Sequence, residues 1–261
     1  MFLPIAVLTS VLGAQAAAAG YGADRPARGP SRAVLSSVAT QSRAEALLSR
    51  SIEFHDPQGR CGRDTIRLVW KGTGPEGEER NAFDISMSPD GATFEMSGRY
   101  RGSAIEYATA GESLTVAVEG STEIDDPTRE RLRLTRDGGM FWRDYFTYLA
   151  GLPMKLRDPG AILDPEPTST EFLGRPVDSI RVTYDPEVGG DTWYFYFEPV
   201  TAELVGCRFY HDEAVNDGEY IVFDGLIEAG GLRIPQRRRW YVNADDRFLG
   251  EDVIESLVLG G

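Results

Sequence analysis

The chain has 261 residues, 41% of them hydrophobic, with 29 glycines, 15 prolines and a formal net charge of −14. None of the first 19 residues is charged, so the remainder is acidic throughout, which disfavours nucleic acid and anionic lipid headgroups as partners. So many glycines and prolines call for frequent turns, and the length fits one β-rich domain with a sizeable core.

The apolar run Phe2 to Leu12 ends in small residues near Ala16 to Ala19. It is too short and too rich in small residues to span a membrane stably. Residues 1–19 are therefore expected to be a signal peptide, with an uncleaved N-terminal anchor as the alternative, and 20–41 a loose tether. Residues 42–261 are expected to form a single domain, secreted to the periplasm or outside the cell, without stable membrane insertion and acting as a monomer.

Ser42-Arg43-Ala44-Glu45 fits a capping box, followed by Leu47, Leu48 and Ile52 at helical spacing. This helix should stop at His55-Asp56-Pro57, because proline disfavours helix in the residue before it. Alternating segments follow, centred on Ile66 to Trp70, Phe83 to Met87, Phe94 to Met96 and Leu114 to Val118. Glycine-rich turns join them into an antiparallel meander. A second helix should start after Asp137-Gly138-Gly139 and stop at Pro153. It is apolar on nearly every side: Phe141, Tyr145, Tyr148, Leu149 and Leu152 on one face, Trp142, Phe146 and Ala150 on another. Such a helix needs cover all round. A proline-rich loop leads to a second strand series: Ile180 to Tyr184, Trp193 to Phe197, Leu204 to Tyr210, Tyr220 to Phe223, Leu232 to Tyr241 and Phe248 to Leu259. Several of these strands are aromatic on both faces and also need cover on each side. Helix and strands together suggest a curved antiparallel sheet holding a helix in its concavity.

Motifs for chemistry are sparse. Gly72-Thr73-Gly74-Pro75-Glu76-Gly77 has dinucleotide-loop spacing but leads into a strand, so it reads as a hairpin turn. The only histidines stand in His55-Asp56 and His211-Asp212; had the two pairs met, they could hold a divalent metal or form an acid/base couple. Without such a meeting, each histidine closes an element and is bonded by its neighbouring aspartate. The acidic segments around Asp185 to Asp191 and Asp212 to Gly218 lack the EF-hand order of calcium ligands and read as turns. No nucleophile signature is present, and no motif calls for a cofactor. Arg237-Arg238-Arg239 lies in a strand, where alternation divides it between two faces. Cys61 and Cys207 either pair, closing a long loop worth about 4–5 kcal/mol, or serve as separate buried thiols.

Four ordered blocks carry a resemblance: Ser51 to Pro57, Tyr148 to Leu156, Gly190 to Phe197, and Phe209 to Asp212 with Gly218 to Ile221. On these the chain resembles a family of secreted bacterial proteins of unknown function, across roughly residues 45 to 255. The resemblance implies a lipoprotein-carrier (LolA-like) fold: α+β, mostly antiparallel, an unclosed β-barrel with helices plugging its concave face. The theme of that superfamily is a non-enzymatic carrier of a lipid or other apolar small molecule. Residues expected to line such a site are Trp70, Phe83, Phe94, Tyr145, Tyr148, Met154, Trp193, Phe195 and Trp240. The alternatives are a hydrolase built on His55, Asp56, His211 and Asp212, and a structural envelope protein with no ligand.

Overall fold

The computed structural model describes residues 41–134, 136–186 and 188–260. The expected leader, and all of the tether except Gln41, lie outside the described residues. Element α1 (Arg43–His55) opens the domain. The first strand series is β1 (Thr65–Thr73), β2 (Glu79–Met87), β3 (Thr93–Tyr100), β4 (Ser103–Ala110) and β5 (Ser113–Val118). Then come α2 (Asp126–Arg131) and α3 (Arg136–Gly151), followed by a 3-10 turn at Met154–Arg157. The second series is β6 (Ala161–Leu163), β7 (Thr168–Phe172), β8 (Arg175–Tyr184), β9 (Thr192–Phe197), β10 (Leu204–Tyr210), β11 (Glu219–Ala229), β12 (Leu232–Val242) and β13 (Phe248–Gly260).

The described strands form one 13-stranded antiparallel sheet in the order β5-β4-β3-β2-β1-β13-β12-β11-β10-β9-β8-β6, with β7 also paired to β8. The path does not close: β5 and β6 end it at opposite edges. The two meanders meet where β1 pairs with β13. Mostly antiparallel β structure, an open sheet and a helix against one face agree with the sequence reading.

Ser42 caps α1 as its sequence requires. The Glu45 amide donates to the Ser42 hydroxyl, and the Ser42 amide donates back to the Glu45 carboxylate. The helix buries Ala44, Leu47, Leu48, Ser51 and His55 against the sheet. The GxGxxG segment is the β1–β2 hairpin turn. Several elements differ from expectation: β4 and α2 stand where the sequence reading places no element, α3 begins at Arg136, ahead of its glycines, and the proline-rich loop contains β6 and β7.

The main core lies between α3 and the concave face. Phe146 is fully buried, its ring 5.1 Å from Trp70, 6.0 Å from Phe83 and 6.2 Å from Phe94. Burying rings of this size is the largest apolar contribution available to the fold, augmented by their edge-to-face geometry. Of the polar residues on α3, Asp144 is 5% exposed and pairs with Arg143 at 2.7 Å. On the other side of the sheet, Phe172, Val177, Tyr196 and Tyr220 form a smaller cluster. Phe172, from β7, stacks on Tyr196 at 4.2 Å, so strand β9, aromatic on both faces, is covered on both.

Candidate functional site

Eight of the nine expected lining residues come together on the concave side. Trp70, Phe83 and Phe94 pack beneath Phe146; Tyr145 stacks over Trp240 at 6.4 Å; Tyr148 meets Trp193 at 5.7 Å, and Trp193 stacks with Phe195 at 5.7 Å. The ninth, Met154, is half-buried and packs against this cluster from the 3-10 turn. They form one aromatic layer, filled by the side chains of α3. The hydroxyls of Tyr148 and Tyr184 meet at 2.5 Å inside it. Burial pushes both phenols well above their ordinary range, so the pair stays neutral.

Charged groups are built into the same layer. Asp252 is fully buried and accepts from Arg80 Nη2 at 2.6 Å, Trp240 Nε1 at 2.9 Å and the Tyr145 hydroxyl at 3.4 Å. Arg80 reaches it through a β-bulge. Gly72 pairs with Asn81 but Thr73 with Glu79, leaving Arg80 as the extra residue, which a bulge can re-aim. Gly72 leaves room for this contact, since a Cβ there would lie 2.6 Å from Asp252 Oδ1. Arg238, also fully buried, donates to the carbonyls of Pro235 and Leu149 and lies 4.7 Å from the Trp70 ring. It thereby holds the carbonyl-rich last turn of α3, where a cation is favoured. Arg237 and Arg239 point the other way, to Glu251 and Asp224, as alternation requires.

The four His and Asp candidates do not meet, and neither histidine is bonded by its neighbouring aspartate. His55 is fully buried. Its Nδ1 lies 2.8 Å from the Arg233 carbonyl, and its Nε2 accepts from the Leu204 amide at 3.0 Å. A carbonyl can only accept, so the ring is the neutral Nδ1–H tautomer with both nitrogens used. Asp56 caps the following turn by accepting from the amides of Arg60 and Cys61. His211 follows the far end of β10 and donates from Nδ1 to Asp191 at 2.7 Å. Asp212 accepts from the Ala214 amide. Roughly 20 Å of strand separates Leu204 from His211 at about 3.3 Å per residue, far beyond the reach of one metal ion. Among the described residues no group of three or more metal-ligating side chains occurs. The hydrolase and shared-metal readings lose their geometric basis. Of the two arrangements open to the cysteines the structure has separate thiols, Cys61 half-buried and Cys207 buried.

The His55 geometry has a pH consequence. Burial, only partly offset by the Arg233 hydrogen bond, lowers its pKa from 6.5 to about 4. The unfolded chain therefore binds a proton that the folded protein refuses. The contribution is present above pH 6.5 and is lost as pH falls through the window to 4. Urea unfolding across that window should show a loss of about 3 kcal/mol. His55→Gln should flatten that part of the profile; an unchanged slope would show that the acid transition belongs to other groups.

At the opposite end of the concave face stands Glu219. Its register partners are Phe209 and Val242, and Phe209 in turn pairs with Trp193, so the four share one face. Glu219 is 8% exposed, and its Oε2 finds no partner among protein groups. Burial raises its pKa to about 7 against the opposing pull of Arg80, His211 and Arg247. Sequence reading missed Glu219, Asp252, Asp191 and Arg80. For two of them a signal existed: Glu219 shares strand parity with Ile221 and Phe223, and Asp252 with Ile254, placing charges on an apolar face. Arg80 gave none, because the bulge changed its parity.

A groove of about 590 Å³ lies on the other face of the first meander, among Arg67, Asp84, Glu95 and Glu106 with Ser86, Ser97 and Ala108. It is open and lined by these polar side chains together with Val69, Ala108 and Val258, on the face away from the aromatic layer.

The model of a protein family, DUF6503, matches residues 32–256. The chain belongs to this family of unknown function. No curated protein matches it. Among solved structures, this DUF6503 member is similar to a LolA superfamily protein from Nitrosomonas europaea, at 12% identity and a TM-score of 0.49 over 84% of this chain and 94% of that one. It is also similar to a domain described as an outer membrane lipoprotein-sorting protein from Vibrio parahaemolyticus, at 10% identity and a TM-score of 0.47 over 83% and 93%. A DUF1329 family protein from Desulfovibrio piger gives 10% and 0.47 over 82% and 92%. Among the described residues no helix is long and apolar enough to cross a membrane.

Proposed function

We propose that this protein is a non-enzymatic carrier of a lipidic or otherwise apolar ligand, working in the periplasm or outside the cell after loss of residues 1–19. The observation that supports this reading is the aromatic layer of the concave face. Rings from β1, β2, β3, β9 and β12 lie on one side of the sheet, and α3 is the element whose rings cover them. Because side chains fill the space beneath α3, an acyl chain enters only as the helix lifts and its rings are exchanged for the ligand. The exchange replaces one apolar contact with another and so demands little net burial. Single-domain size and the open sheet suit a ligand that must be taken up and released.

Native mass spectrometry of protein purified from its own host tests the reading, together with titration by a fluorescent fatty acid. The expected result is a co-purifying lipid and saturable uptake, both reduced in Tyr148→Ala. Repeated apo spectra from well-folded protein that takes up no fatty acid would overturn it.

A further inference from the structure

The geometry points to the corner formed by Glu219, Asp191 and His211 as a polar subsite that binds the ammonium end of an amphiphile; this rests on the carrier reading above. Two acceptors there are buried and have no partner among protein groups: Glu219 Oε2 and Asp191 Oδ2, on residues 8% and 3% exposed. Buried polar atoms are rarely left without partners, so these two carboxylate oxygens call for a donor from outside the chain. The corner is continuous with the apolar layer, because Glu219 lies in register beside Phe209, whose ring is 4.6 Å from Trp193. An acyl chain on those rings would bring its polar end to the carboxylates.

The chemistry of that end follows from what is already paired. Arg80 is committed to Asp252 at 2.6 Å and Arg247 to Asp245 at 3.7 Å. His211 gives its Nδ1 proton to Asp191 Oδ1, leaving Oδ2 free. Glu219 is left without an ion-pair partner, and Asp191 has only the His211 imidazole. An ammonium carries three donors, no acceptor and a positive charge, which suits two buried carboxylate oxygens that accept from no protein group. A carboxylate or phosphate headgroup offers the same corner only further acceptors and repulsion.

The test displaces a neutral apolar dye with dodecylamine, dodecanol, dodecanoic acid and dodecyl phosphate, each below its micelle concentration, at pH 8. The expected result is dodecylamine at least about tenfold tighter than dodecanoic acid, equivalent to about 1.4 kcal/mol. Glu219→Gln should bring the ratio of dodecylamine to dodecanol affinity close to one. Asp191→Asn serves as the second variant if the first fails to fold. Equal binding of all four heads, or a preference that survives both variants, overturns the subsite and leaves the carrier reading standing. Binding of none of the four removes the carrier reading and the subsite together.

Discussion

Phe146→Ala should lower stability by about 3–5 kcal/mol, because it empties the point where α3 meets three strands. The ring touches Trp70 and Phe83 edge-on and stacks with Phe94 and Trp142. These neighbours are themselves at most 4% exposed and bulky, so they cannot collapse into the void without leaving their own contacts. For a domain of this size each kcal/mol moves the melting temperature by about 2–4 °C, so a drop of roughly 6–20 °C is expected. Thermal melts followed by circular dichroism measure it. Val258→Ala, at a residue 50% exposed, is the matched control and should change little. An unchanged melt for Phe146→Ala would show that α3 does not hold the sheet.

Asp252→Ala should cost a similar amount, about 3–5 kcal/mol, by a different route. The carboxylate accepts from Arg80, Trp240 and Tyr145, and its charge opposes that of Arg238, its register partner across β12 and β13. Removing it leaves an indole N–H and a phenol without their acceptor and a fully buried guanidinium without a nearby counter-charge. Arg80→Met alone should cost less, since Arg80 is at the rim and 19% exposed. In the Asp252→Ala background Arg80→Met should recover part of the loss, because it removes an uncompensated charge. Strictly additive losses in urea unfolding would show that the two side chains are not energetically coupled.

Local patterns were legible in the sequence, while partners distant in the chain were not. The capping box of α1 was readable because all its atoms come from four consecutive residues. The division of Arg237, Arg238 and Arg239 between two faces followed from strand alternation alone. The all-round apolar pattern of α3 required cover, and the sheet supplies it. By contrast, α2 buries no residue and so left no apolar period to read. Strand β7 buries only Phe172, and the prolines around it read as loop. The extra residue in β2 could not be located, since a bulge depends on the strand beside it. The histidines show the same limit. Their neighbouring aspartates are obvious in sequence, yet the atoms they bond, the Arg233 carbonyl, the Leu204 amide and Asp191, come from other parts of the chain.

The pairing of β1 with β13 imposes an order on folding. Each meander can form from neighbouring segments, but residues 65–73 must find residues 251–260 before the two become one sheet. Contacts of such sequence separation carry a large loop-closure entropy and place the chain among slow-folding topologies. Until β13 arrives, β1 and β12 are both open edges, each flanking an uncovered aromatic face and able to pair with another chain. The final strand therefore stitches the molecule together, and a nascent chain is most vulnerable to aggregation just before that strand is available.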